Sequence, residues 1–218
     1  MNPKSRLAFL LLLSLLAGTL RADSPPIHQT TLVFFDVETT GLSPYQDRIV
    51  EIGAVRYEHG KVTASQSWLV NPERRIPYSA VLVHGIRTRD VRDQPTFAEI
   101  YPEIRAFFRD NILVAHNARF DLAFLREEIL RAGYDLPENP VLDSLRLFRS
   151  WYPDQPSHSI EPLMASLGIE GEGYHRAEAD AMFIVHLLER ALQDRAPRVP
   201  TLAETIHDAG GLLLFQDR

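Results

Sequence analysis

An α/β fold built on one mixed sheet is predicted by two observations. Three strand-like segments follow one another over short connections between Thr31 and Val70, and from Thr96 onward short apolar strands alternate with helical periods. Strands joined by tight turns run antiparallel, and strands separated by a helix return parallel. The sheet should therefore hold three antiparallel strands and then parallel ones, flanked by helices.

Each element has its own signal. Residues 31–37, Thr-Leu-Val-Phe-Phe-Asp-Val, are rich in β-branched and aromatic side chains and read as a buried strand. Gly41 to Asp47, with Pro44, is a loop. Arg48 to Glu58 reads as a second strand, His59-Gly60 as a turn and Lys61 to Val70 as a third strand, ended by Asn71-Pro72. Thr96 with Glu99 makes a capping-box pattern for a helix to about Arg109. Ile112 to Ala115 is a short apolar strand. Phe120, Ala123, Phe124 and Leu130 keep a helical period from Arg119 to Arg131, which Gly133 stops. Val141-Leu142 is a short strand before Asp143. Ser144 to Trp151 and Ser159 to Leu167 are helices, the second closed by Gly168. Ala181, Ile184, Val185, Leu188 and Leu192 share one face of a long helix that begins at Ala177. Ala196 to Pro200 reads as a linker and Thr201 to Ala209 as a last helix. The closing Gly210-Gly211-Leu212-Leu213-Leu214-Phe215 carries no readable role.

Bulk properties narrow the function. A chain of 218 residues fits one domain with short extensions. It has no cysteine, so disulfide partners, thiol catalysis and cysteine-held metals are excluded. Its net charge is −6, unlike that of a duplex-gripping protein. Lys4 and Arg6 precede an apolar run from Leu7 to Ala17, followed by small and polar residues and Pro25-Pro26. That order predicts a secretory signal peptide over 1–22, cleaved after Ala22, and hence export to the periplasm or medium. An uncleaved membrane anchor and a mis-assigned start are the alternatives. The division expected is 1–22 signal peptide, 23–30 leader, 31–194 catalytic domain and 195–218 C-terminal tail.

The chemistry lies in three blocks: Phe35-Asp36-Val37-Glu38-Thr39-Thr40-Gly41, His116-Asn117-Ala118-Arg119-Phe120-Asp121 and His175-Arg176-Ala177-Glu178-Ala179-Asp180. Asp36 and Glu38, two apart on a strand, project from one face and can meet one metal ion. Oxygen donors favour magnesium or manganese over zinc. The plain alternative is an ion pair with a buried arginine. Asp121 falls in the first turn of its helix, where an anion is favoured. His175 is placed before the last long helix on a loop loosened by Gly171 and Gly173. Histidine suits a general base there, because imidazole titrates near neutrality. Thr39-Thr40-Gly41 is expected to turn sharply and expose backbone amides, with Leu42 offering an apolar surface to a base. Glu51, apolar-flanked beside the site, reads equally as a supporting or a purely structural residue. Arg74-Arg75 is too short a run to claim as a nucleic-acid patch.

The blocks resemble the three motifs of the DnaQ-like 3′→5′ exonucleases, in the DEDDh subfamily whose third motif carries histidine. The resemblance runs from about Thr31 to Leu192. It includes Arg48-Ile49-Val50-Glu51-Ile52-Gly53-Ala54, Val83-His84-Gly85-Ile86 and His158-Ser159-Ile160. It implies a ribonuclease H-like fold and a site with two Mg²⁺ or Mn²⁺ ions ~3.5–4 Å apart. It also implies that Asp36, Glu38 and Asp180 hold the first metal, and that Asp36 and Asp121 serve the second. His175 is then the base. Thr39, Thr40, Gly41, Leu42, His84 and Phe120 are implied to line the terminal-nucleotide pocket.

The reading that follows is an exported, metal-dependent 3′→5′ exonuclease. It would release nucleoside 5′-monophosphates from single-stranded DNA or RNA 3′ ends or short oligonucleotides. The alternatives are a cytoplasmic proofreading or repair enzyme, an oligoribonuclease-like RNase and a catalytically dead nucleic-acid-binding module. No sliding-clamp or polymerase partner is expected, and contact with a membrane only if the signal stays attached.

Overall fold

The computed structural model describes residues 24–217, and the expected signal peptide at 1–22 lies outside them. The chain runs β1 (Leu32–Thr39), β2 (Ile49–Glu58), β3 (Lys61–Leu69), α1 (Tyr78–His84), α2 (Thr88–Val91), α3 (Phe97–Phe108), β4 (Ile112–Ala115) and α4 (Arg119–Arg131). It continues with β5 (Val141–Asp143), α5 (Ser144–Trp151), α6 (Ile160–Ser166), α7 (Ala177–Asp194) and α8 (Leu202–Asp208). Strand order is β3-β2-β1-β4-β5. β1 pairs antiparallel with β2 and parallel with β4, β2 with β3 antiparallel, and β4 with β5 parallel. This is the mixed sheet expected.

β1 is central and its alternation separates two cores. Val33, Phe35 and Val37 enter one core with α3 and α4, where Phe35 lies 5.5 Å from Phe108 between ring centroids. Leu32 and Phe34 enter a second core with α5, α6 and α7. By the two-residue period, Asp36 and Glu38 continue the Leu32–Phe34 row on the α7 face. α3 starts at the Thr96–Glu99 capping box as expected, with the Thr96 N–H donating to Glu99 Oε2 at 2.7 Å.

Two helices escape the sequence reading. α1 has no polar N-cap, since Pro77 stands there, and its apolar Tyr78, Leu82 and Val83 are exposed rather than gathered on a buried stripe. α2 is a single turn. The C-terminal segment also does more than the sequence conveyed. Leu213 pairs with Val141 on the open edge of β5, through Val141 N–H to Leu213 O at 2.9 Å and the reverse bond at 2.8 Å. Phe215 is fully buried in the first core. The stretch read as a linker ends in backbone pairing with the N-terminal segment. Ile27 N–H donates to Pro200 O at 3.0 Å and Leu202 N–H to Pro25 O at 2.8 Å. Among the described residues no helix is long and apolar enough to cross a membrane.

Candidate active site

Three elements bring the carboxylates together. Asp36 and Glu38 lie near the C-terminal end of β1, and Asp180 lies in the first turn of α7. One carboxylate oxygen from each falls within 4.8 Å of the others. α7 can come this close because β2 presents Gly53, which pairs with Asp36. A Cβ on Gly53 would lie 2.0 Å from Glu178 N and 2.1 Å from the Ala177 carbonyl carbon. Asp121, in the first turn of α4, comes from the other face of the sheet. Its Oδ1 accepts from the Val37 N–H, between Asp36 and Glu38, at 3.2 Å. It is buried and stands outside the 4.8 Å group.

The electrostatics distinguish a metal site from an ion pair. Burial first, then the charges of Asp121, Glu38 and Asp180, hold the Asp36 carboxyl well above its ordinary range. Burial and Asp180 push Glu38 up to about 8. Burial raises Asp180 to about 6, against the pull of His175. Burial also raises Asp121. Among the described residues none of the four forms a salt bridge. The arginine that might have neutralised them, Arg176, is committed to Glu51 by bonds of 3.0 and 2.7 Å. Oxygen-only donors, crowded and without a cationic partner, fit a hard divalent cation.

Glu51 anchors the other side of the site. Fully buried on β2 opposite Glu38, it accepts from Arg176, from Ser67 Oγ at 2.8 Å and from the Ala177 N–H at 3.1 Å. Burial opposes its charge, but these bonds hold its pKa below the ordinary value. Glu51 thereby fixes the chain immediately after His175. His175 has φ of 63°, in the left-handed region, and its N–H donates to Asp180 Oδ2 at 3.2 Å. Its exposed side chain borders a cleft with Asn117, Arg149, His158, Tyr174 and Asp180. Arg149 and Tyr174 were not foreseen, because nothing in their local sequence marks them.

The expected nucleotide pocket is partly altered. The Thr39–Gly41 turn does not leave the Thr40 amide free. Thr40 N–H donates to Arg48 O at 2.8 Å, and the buried Thr40 hydroxyl donates to Asp47 Oδ1 at 3.1 Å. Thr39 Oγ1 donates to Gly41 O at 2.6 Å. Leu42 is 85% exposed and free to meet a ligand. His84 is buried behind the turn. Its Nδ1 accepts from Ile86 N–H at 3.0 Å, so Nε2 carries the proton and faces Thr39 O at 3.3 Å. Burial lowers its pKa, which keeps that neutral form. Phe120 is half-buried against Phe124, 4.9 Å between ring centroids. His116 supports the cleft from within: its Nε2 lies 2.7 Å from His158 O, and burial lowers it to about 4.

Comparison with known proteins agrees with this geometry. The family model RNase_T, described as Exonuclease, matches residues 33–188. Similar proteins include DNA polymerase III PolC-type of Clostridium perfringens, 39% identical over 72% of this chain and 11% of the polymerase. The Halalkalibacterium halodurans enzyme of the same name is 33% identical over 85% and 13%. The chain thus spans about an eighth of these relatives. Among solved structures, the zinc-bound E. coli ExoI–ssDNA complex aligns with TM-score 0.69 and 26% identity over 78% of this chain and 42% of that one. Exonuclease X in complex with 5′ overhanging duplex DNA aligns with TM-score 0.62 and 26% identity over 80% and 98%.

Proposed function

Since the chain belongs to the RNase_T exonuclease family, DnaQ-like and of the DEDDh kind, we propose that it is a metal-dependent 3′→5′ exonuclease acting on single-stranded ends or short oligonucleotides. The observation that carries this is the unpaired carboxylate trio of Asp36, Glu38 and Asp180 beside an exposed histidine. Asp36, Glu38 and Asp180 would hold a divalent cation, magnesium or manganese, and Asp121 with Asp36 would serve a second. When bound, the cations neutralise the pocket and stabilise charge on the phosphodiester oxygens.

The remaining work falls to the chain. His175 takes the proton of the attacking water, from a position set by its bond to Asp180 and by the Glu51–Arg176 pair behind it. Attack on the terminal phosphorus breaks its bond to the 3′ oxygen of the penultimate nucleoside and releases a nucleoside 5′-monophosphate. The Thr39–Gly41 turn, shaped from behind by His84, and Leu42 receive the terminal nucleotide. The ExoI neighbour in complex with ssDNA supports a single-stranded substrate. Export rests on the charge and apolar order of residues 1–22. A proofreading role would rest on the PolC-type relatives.

The test is digestion of 5′-labelled single- and double-stranded DNA and RNA with magnesium or manganese. A ladder shortening from the 3′ end, with 5′-mononucleotide release, is expected. Asp36→Asn and His175→Ala should each lower the rate by roughly 10²- to 10⁴-fold. An unchanged rate in either variant overturns the assignment. Cell fractionation tests export, and full-length protein confined to the cytosol refutes it.

A further inference from the structure

We propose that α1, α2 and the β1–β2 loop form an upstream-strand surface. It would carry the single strand behind the terminal nucleotide, with phosphates on Arg75, Arg87 and Arg89 and a base against Tyr78. This deepens the exonuclease reading and rests on it.

The surface is unusual in two respects. Leu42, Tyr45, Val62, Tyr78, Leu82, Val83 and Leu130 are the exposed large hydrophobic residues described, and five of them lie on the β1–β2 loop and α1. Tyr45 and Tyr78 are each 73% exposed, which leaves ring faces open for stacking. The charge is as uneven. In a chain of net −6, the stretch from Arg74 to Arg92 holds five arginines and one acid, Asp90. Arg75, Tyr78, Arg87 and Arg89 border one shallow cleft. Arg75 and Arg87 form no ion pair among the described residues, and Arg89 has only a loose one, 3.5 Å from Asp90. Arg75, negligible with Arg74 as a dipeptide, gains Arg87 and Arg89 as neighbours through the fold.

The surface is also joined to the catalytic turn. His84, the last residue of α1, contacts Thr39 O, one residue past Glu38. Arg74 donates to Gln46 O, tying the arginine segment to the loop that carries Leu42 and Tyr45. Tyr78 begins α1 six residues before His84, about 9 Å along a helix axis. A strand crossing α1 would therefore lead from Tyr78 toward the turn. An acidic pocket on an acidic protein repels a polyanion, and local guanidinium groups at its approach offset that repulsion.

The test compares the wild type with R75E/R87E/R89E and with the milder R75Q/R87Q/R89Q, after thermal melts confirm folding. With magnesium, kcat/KM is measured for a dinucleotide and a single-stranded 12-mer across a salt series. Binding of a labelled 12-mer is measured separately by polarisation in calcium. The preference for the 12-mer should fall on the order of tenfold, and the salt slope of 12-mer binding by about two. An unchanged preference, or an equal loss on both substrates, overturns the surface. If the wild type cleaves neither substrate, the exonuclease reading fails on its own. Polarisation then decides: weakened 12-mer binding in the variants upholds the surface, and unaltered or absent wild-type binding overturns it.

Discussion

Glu38 and Glu51 face each other across β1 and β2, yet their surroundings give them opposite charge behaviour. Arg176, Ser67 and Ala177 stabilise the Glu51 anion, while burial and Asp180 push Glu38 up to about 8. Removing Arg176 would leave Glu51 buried and unpaired and free the chain after His175. R176A and E51A should each lower kcat by on the order of 10- to 100-fold with KM little changed. The double variant should be no worse than E51A alone, because E51A already breaks the contact that R176A removes. Additive losses, or KM effects alone, would refute this positioning role. The raised carboxylates also set a pH dependence. Glu38 at about 8 and Asp180 at about 6 exceed their ordinary 4.5 and 3.8, so the metal-free fold favours their protonated forms. That stabilisation is present at low pH and is lost as pH rises through 6 and then 8. Melting in EDTA should show Tm falling from pH 5 to 8, and the gain in Tm on adding magnesium should grow over the same range. The five central residues were legible because phosphodiester chemistry needs that set together, and block order supplied it. The Glu51–Arg176 pair spans 125 positions, so sequence offered only the neighbour of His175.

At the level of elements, the meeting of α7 with β2 decides whether the site exists. Gly53 leaves room for the backbone of Ala177 and Glu178, and so for Asp180 to reach Asp36 and Glu38. Gly53→Ala would drive a methyl into main chain at 2.0 Å, which has no flexible end to yield. The start of α7 must shift by about 1 Å, a displacement that can cost on the order of 10²-fold in rate. Metal titration followed by calorimetry, with circular dichroism to confirm the fold, would check this. Full activity in G53A would show that α7 can be placed otherwise. The strands and long helices were readable because each carries one periodicity: α4 and α5 span the segments expected, and α3 begins at its capping box. α1 and α2 were not, because exposed apolar residues and a Pro77 start imitate a loop.

Across the whole molecule, the two cores are closed by the chain ends. Phe215 fills the α3–α4 core, and Leu213 covers the edge of β5. Phe215→Ala should lower stability by about 3–5 kcal/mol, read as a fall in denaturation midpoint with an unchanged m value. Loss of metal binding with no loss of stability would instead tie the tail to the site. The tail escaped the sequence reading because four apolar residues after two glycines suit a free peptide as well as an edge strand. At the other end, Ser24 to Ile27 is clasped to Pro200, Leu202 and Ala203. If residues 1–22 are an export leader, the cut after Ala22 falls just ahead of a segment the finished body holds fast. An exported chain would then close this clasp only after its thread had crossed. On that reading the carboxylate pocket would first form on the far side of the membrane, and its metal would be drawn from that compartment's supply.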